Sequence, residues 1–244
     1  MISRCENFML RSIVLSALVL ESLSTVGGVY ALTPNKEISQ DEGTRNEYAV
    51  LKYLWPALKQ AKKAGRISYV TACQADVNYP APFPKINVEP PAKGVFGLAA
   101  VREIFQYDTN IEVTEKRSGL IMVKIGNAPS GILGTKISSI TFWPIEQYNP
   151  QLAISAIEGS EDVRAAMRKL DIHAASRVSN QGIVMPANGL PHLLGALTKV
   201  TMDQALDLVA HTFGGIVVYA ACSNSNLYTI DFTGGAGFDE SKLP

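Results

Sequence analysis

The residues with the side chains best suited to acid–base or metal chemistry are three histidines, His173, His192 and His211. His211 follows Asp207 by one helical turn, so a helix would place both side chains on one face as weak metal ligands. Two ligands do not make a catalytic zinc site, and the chain has no HExxH motif, so we predict no metal site and no cofactor. His173 follows Asp171 at a predicted helix end, where a cationic surface side chain complements the helix dipole.

The serines and glycine-rich stretches do not match known catalytic motifs. Ser130 and Ser160 lack the flanking glycines of a GxSxG elbow, and residues 131–136 lack the GK[ST] ending of a phosphate loop. We therefore name no catalytic residue and favour a non-enzymatic protein. Because catalytic triads are assembled in space, a hydrolase that combines His173 or His192 with an acid and a serine remains an alternative.

The composition is that of a folded protein with no general affinity for polyanions. The chain has 244 residues, of which 47% are hydrophobic, with 22 basic and 22 acidic side chains. This hydrophobic content excludes a disordered chain, and the balanced charge argues against a nucleic-acid partner. Lys59, Lys62, Lys63 and Arg66 form a small basic patch without interleaved aromatic residues, so we expect a solvated helix face there.

The amino-terminal residues 1–31 have the pattern of a secretory signal peptide. Arg4 and Arg11 give a basic start, the apolar run extends from Ile13 to Leu23, and Val29–Ala31 places small residues at the cleavage position. An uncleaved anchor is the alternative. We predict a periplasmic or secreted protein with no membrane span after signal cleavage.

Export changes the interpretation of the cysteines. Cys5 lies in the predicted signal peptide, which leaves Cys73 and Cys222 in an oxidising compartment. They are a candidate disulfide, and two buried free thiols are the alternative. Neither lies in a CxxC motif, so the sequence does not support a thioredoxin-like redox role.

Periodicity predicts an α+β fold made of two small units of helices packed on mixed β-sheets. The first unit is residues 44–142 and the second is residues 143–232, between a linker at 32–43 and a flexible tail at 233–244. Helices would cover one face of each sheet. The predicted helices are 44–64, 97–105, 160–170 and 201–213, and the predicted strands are 67–73, 83–88, 111–113, 121–125, 137–142, 182–185, a part of 193–200, 216–221 and 227–232.

The helix at 201–213 is the most strongly marked element. Thr201 and Gln204 form a capping box, and a glycine pair ends the helix. Leu208 lies away from the apolar stripe and is a candidate contact surface, either between the two units or with a partner. Burial under a neighbouring loop is the other interpretation. The apolar stripe comprises Met202, Ala205, Leu206, Val209 and Phe213.

The segment Val200–Val209, VTMDQALDLV, resembles the secretin/TonB short N-terminal (STN) domain of secretins and TonB-dependent transducers. Gly215–Tyr219 and Tyr228–Phe232 fit the strands that follow in that family, and Leu98–Phe105 fits its helix more loosely. The resemblance implies a docking module. The expected function is therefore an exported envelope protein that acts as a non-enzymatic protein-interaction or scaffold module, with another envelope protein as partner. A binder of a small apolar ligand held between the units is a further alternative to the hydrolase.

Overall fold

The structure is a computed structural model that describes residues 40–73, 81–128, 131–175 and 183–234. These residues belong to one compact unit, Asn35–Pro244. The predicted signal peptide, most of the predicted linker and residues 235–244 of the predicted tail lie outside the described residues. None of the described helices combines the length and hydropathy that crossing a bilayer requires.

The protein is α+β, with helices packed on a mixed β-sheet. The helices are α1 (Gln40–Gln60), α2 (Gly97–Ile104), α3 (Pro144–Gln147), α4 (Pro150–Glu158), α5 (Glu161–Leu170) and α6 (Met202–Phe213). The strands are β1 (Gly65–Thr71), β2 (Ile111–Glu115), β3 (Ile121–Ile125), β4 (Lys136–Thr141), β5 (His173–Ala174), β6 (Ala196–Thr201), β7 (Gly215–Cys222) and β8 (Leu227–Gly234).

Within the described residues, six strands form the main sheet in the order β2-β3-β1-β7-β8-β5. The central strand β1 runs parallel to both β3 and β7, whereas β2 and β8 are antiparallel to their inner neighbours. Strands β4 and β6 pair separately as an antiparallel ribbon. The main sheet thus joins strands from both sides of the boundary predicted between residues 142 and 143.

Both faces of the main sheet are covered. On β7, Ile216 and Val218 pack with α1 and α2, whereas Val217 and Tyr219 pack with α4, α5, α6 and the β4–β6 ribbon. The prediction of helices on one face only is therefore wrong. The physical reason is that every residue of β7 is buried, so apolar side chains on both faces require cover.

Several differences between the predicted and the observed elements lie at prolines. The segment predicted as a strand at 83–88 contains no strand, because prolines cannot donate to a ladder. Helices α3 and α4 were not predicted, although Pro144 and Pro150 occupy their first positions, where proline is favoured. Pro56 lies inside α1, which nonetheless runs from Gln40 to Gln60 with Trp55 and Ala57 buried in the core.

Candidate functional site

The three histidines do not converge on a catalytic arrangement. His173 is exposed, with Nε2 at 3.9 Å from Asp171 Oδ1, and His192 is exposed and stacks on Tyr148 with ring centroids 5.1 Å apart. His211 is exposed on α6. Among the described residues, none of the three forms a hydrogen bond with a serine, which is the contact that the hydrolase alternative requires.

The predicted Asp207–His211 pair does not act as a unit either. Both carboxylate oxygens of Asp207 are taken up by cations, Oδ1 by Arg66 and Oδ2 by Lys116. In the described part of the chain, no group of three or more potential metal-ligating side chains comes together.

The densest polar arrangement is a charge cluster formed by Arg66, Lys116, Asp203 and Asp207. Lys116 Nζ lies 2.6 Å from Asp203 Oδ2 and 2.6 Å from Asp207 Oδ2. Arg66 Nη1 lies 2.9 Å from Asp207 Oδ1 and also donates to Asp203 Oδ1. Each cation therefore bridges both carboxylates, and the four formal charges cancel.

Three elements position the charge cluster. Arg66 belongs to β1, Lys116 begins the turn between β2 and β3, and the two aspartates lie one helical turn apart on α6. The turn is closed by Gly119 N donating to Lys116 O at 2.8 Å, and Gly119 adopts φ +82°, which favours glycine. The cluster thus fastens α6 across β1 to the β2–β3 hairpin.

Burial and charge act in opposite directions on Asp203. Desolvation raises the pKa of its carboxyl, but the Arg66 guanidinium and the Lys116 ammonium outweigh this effect and hold the pKa below its usual value. The ionised Asp203 carboxylate therefore stabilises the folded protein fully at pH values above its usual pKa of 3.8. This stabilisation is lost as the pH falls through the depressed pKa of the folded state.

Arg66 was predicted on a solvated face and is instead fully buried. Its Nε and Nη2 atoms are enclosed and make no hydrogen bond within the described residues. The sequence contained a signal for this burial. A single arginine next to apolar strand residues requires acidic partners if it is buried, and Asp203 and Asp207, spaced one helical turn apart, are such partners. Arg66 is the buried member of the cluster, and the other three side chains are half-buried. Because the two cations engage all four carboxylate oxygens, the internally neutralised cluster serves to hold the three elements together.

The carboxyl of Glu158 is buried between α4 and β8. Glu158 Oε1 is enclosed without a hydrogen bond among the described residues, and the Tyr228 hydroxyl faces this carboxyl. Burial raises the pKa of Glu158 to about 7, the Tyr228 hydrogen bond opposes the shift, and the Asp231 charge adds to it. Tyr228 also contacts Met167 Sδ of α5 at 3.5 Å, so the pair is packed inside the fold.

Cys73 and Cys222 form a disulfide with Cα atoms 5.4 Å apart. Cys222 lies in β7 opposite Thr71 of β1, so the bond joins the carboxyl ends of neighbouring parallel strands. The Asn224 side chain supports it, since Oδ1 accepts from Cys73 N at 2.8 Å and Nδ2 donates to Cys73 O at 2.7 Å.

Leu208, the candidate contact residue, is half-buried and packs against the same core cluster as the apolar stripe of α6. It therefore contacts the interior of its own chain.

Exposed apolar side chains concentrate elsewhere, around α3 and residues 183–195. Trp143 is 73% exposed, Met185 70%, Leu194 71% and Ile183 64%. We call this surface the apolar platform, and it consists of Trp143, Ile183, Val184, Met185, Leu190 and Leu194. Sequence reasoning missed it, although a stretch from Ile183 to Gly195 without Asp, Glu, Lys or Arg was a visible signal.

Hydrogen bonds fix the two parts of the apolar platform to each other. The buried Asn149 side chain pairs with Val184, whose N donates to Oδ1 at 2.7 Å and whose O accepts from Nδ2 at 2.8 Å. Leu193 N donates to Gln147 O at 2.9 Å, and the Leu193 side chain is buried in the core. The exposed apolar side chains are therefore displayed on an anchored backbone.

Comparisons with protein-family models, with curated proteins and with solved structures found no match for this chain.

Proposed function

We propose that this protein is an exported envelope protein that acts as a non-enzymatic protein-interaction module, and that the apolar platform is its docking surface. The observation that carries the proposal is the concentration of anchored, exposed apolar side chains on the platform. Exposed apolar patches of this kind are typical of protein-interaction sites.

The platform favours an uncharged partner surface. Residues 183–195 contain no Asp, Glu, Lys or Arg, and interface cores are depleted in charge and enriched in aromatic residues and methionine. Trp143 and Met185 are of the enriched types. The occupant we infer is an apolar, uncharged face of another envelope protein.

Three further features support export and docking. Disulfides persist in oxidising compartments, and the chain carries one between Cys73 and Cys222. The signal-peptide pattern of residues 1–31 is consistent with the same compartment. The STN-like pattern of Val200–Val209 is found in domains that dock rather than catalyse.

Site-specific photo-cross-linking in the native cell tests the docking surface. A photoreactive amino acid in place of Leu194 should cross-link one defined protein, whereas the same amino acid in place of Tyr107 should not. Tyr107 is the matched control because it is 66% exposed and lies outside the platform. Adding Met185→Asp should abolish the Leu194 cross-link, and identical cross-links from both positions would refute the platform as the docking surface.

Cell fractionation tests the export part separately. We expect the mature protein in the envelope or medium without residues 1–31. A full-length chain retained in the cytoplasm would disprove export, irrespective of the cross-linking result.

A further inference from the structure

A second surface on the opposite side of the main sheet has a different chemistry. An open groove of about 350 Å³ lies between α1 and the loop that precedes α2. This volume is at the lower end of the range of about 300–1,000 Å³ for ligand pockets. Lys52, Tyr53 and Gln60 line the groove on the side of α1, and Lys93, Val95 and Phe96 line it on the side of the loop.

The floor of the groove is apolar and supported from below. Tyr53 and Val95 are partly buried and pack against the core cluster of α1 and α2. Phe96, at the end of the loop, is 48% exposed. An aromatic or apolar side chain of a ligand could therefore pack against side chains that the core holds in place.

The rim of the groove is positive. Lys52 and Lys93 are both exposed, and the described lining contains no acidic residue. The neighbouring acid Glu103 lies outside the lining, where its Oε2 accepts a hydrogen bond from Ala92 N at 2.8 Å, and the two lysines outnumber its single negative charge. Charge complementarity therefore selects an anionic ligand.

The length of the groove favours an extended chain over a small acid. The residues of α1 that line it run from Lys52 to Gln60, a distance of about 12 Å along the helix axis. Three to four extended residues span about the same length. The loop side is shaped by a turn in which Val95 N donates to Ala92 O at 3.1 Å and Gly94 adopts φ +87°.

From these observations we infer that the groove between α1 and residues 91–96 binds an extended acidic peptide segment that carries an aromatic residue. The acidic side chains pair with Lys52 and Lys93, and the aromatic ring packs on Tyr53 and Phe96. This surface is separate from the apolar platform, so it gives the protein a second, charge-selected contact.

Two synthetic peptides measure the binding directly by fluorescence anisotropy. The acidic peptide acetyl-EPFDPE-amide should bind the full protein about tenfold more tightly than the neutral acetyl-QPFNPQ-amide, as expected for two exposed charge pairs. Raising NaCl from about 0.05 M to about 0.5 M should weaken only the acidic peptide. Equal affinities for the two peptides, or no binding of either, would overturn the proposal.

Charge reversal locates the binding. The double variant Lys52→Glu/Lys93→Glu should lose the preference for the acidic peptide, whereas Lys136→Glu, an exposed residue of β4, should keep it. An unchanged thermal unfolding curve excludes misfolding of the double variant. If the double variant keeps the preference for the acidic peptide, the peptide binds elsewhere and the proposal is overturned. The proposal is also overturned if phosphatidylglycerol vesicles bind through the two lysines while the peptides do not, because the groove then contacts lipid.

Discussion

Arg66 illustrates how one residue depends on its distant partners. It occupies a fully buried position in β1, and removing a guanidinium from water is costly unless anions accompany it. Asp203 and Asp207 meet this requirement on α6, and Lys116 balances the second negative charge. The cluster is therefore a condition for packing α6 on the sheet.

The substitution Asp207→Asn should lower the free energy of unfolding by about 3 kcal/mol, because it leaves the buried Arg66 under-compensated. Urea unfolding with the disulfide intact measures the loss. Glu115→Gln is the control, since Glu115 pairs with Lys63 at 2.8 Å on the surface and such pairs contribute less than about 1 kcal/mol. Equal losses from the two substitutions would show that Asp207 does not compensate a buried Arg66 in solution.

Glu158 should make stability depend on pH. Its pKa is raised from 4.5 to about 7 in the folded protein, so between these values the unfolded carboxyl loses its proton while the folded one keeps it. The free energy of unfolding should therefore fall as the pH rises through this window, by at most about 3 kcal/mol, and level off above it.

The variant Glu158→Gln removes this titration while preserving the shape of the side chain. Wild-type and variant should differ by a pH-dependent amount between pH 4.5 and about 7, measured as the difference in urea midpoints. Parallel stability profiles across this range would contradict the assignment.

At the scale of elements, α6 is the helix whose sequence signals and structure agree most fully. Thr201 Oγ1 accepts from Gln204 N at 3.2 Å, and the Gln204 side chain accepts from Thr201 N at 2.8 Å. Gly214 then ends the helix at φ 62°. Local chemistry at both ends defines this helix independently of the rest of the fold.

The caps of α5 and α6 differ in a way that can be measured. Ser160 occupies the cap position of α5, but its hydroxyl donates to Ile157 O at 2.8 Å and makes no cap hydrogen bond. Thr201→Ala should therefore destabilise the protein by about 1 kcal/mol, and Ser160→Ala by less. Thermal unfolding of the two single variants compares the two losses of stability. A larger loss for Ser160→Ala than for Thr201→Ala would contradict the prediction.

Side-chain amides complete the backbone pairing where elements end. Gln151 of α4 pairs with β8, because its Nε2 donates to Ile230 O at 3.2 Å and its Oε1 accepts from Phe232 N at 3.0 Å. The amide thus replaces a neighbouring strand at these two residues and reduces the exposed edge of β8. Asn149 and Asn224 make the same kind of pair with Val184 and Cys73.

For the whole molecule, the sheet and the disulfide join the two halves of the sequence. Strand β1 lies between β3 and β7, and the Cys73–Cys222 bond closes a sequence separation of 149 residues. A cross-link over such a separation restricts the unfolded chain strongly. The two halves of the sequence therefore contribute strands to one sheet and are cross-linked to each other.

Removing the disulfide with the double variant Cys73→Ala/Cys222→Ala should lower the free energy of unfolding by about 2–4 kcal/mol. Urea unfolding with and without dithiothreitol provides the measurement and its control, because the reductant should destabilise the wild type and leave the double variant unchanged. An unaffected wild type would mean that the two thiols are not bonded in solution.

Local signals predicted many of the elements but only part of the candidate site. The strands β2 and β3 and the helix α6 follow from alternation and from caps near one another in sequence. The apolar platform required knowing that residues 183–195 fold back onto α3, which depends on the long-range Asn149–Val184 pair. The charge cluster depends on contacts between Arg66 and Asp203, which are 137 residues apart.

The sequence by itself determined the α+β class and the ends of α6, because these follow from short-range patterns of burial and capping. Only the tertiary structure decided that β1 and β7 are neighbours, that helices cover both faces, and that Arg66 lies inside. The physical reason is that strand pairing and the order of layers depend on the burial of apolar surface over the whole chain. A local sequence pattern does not specify which distant strand pairs with a given strand.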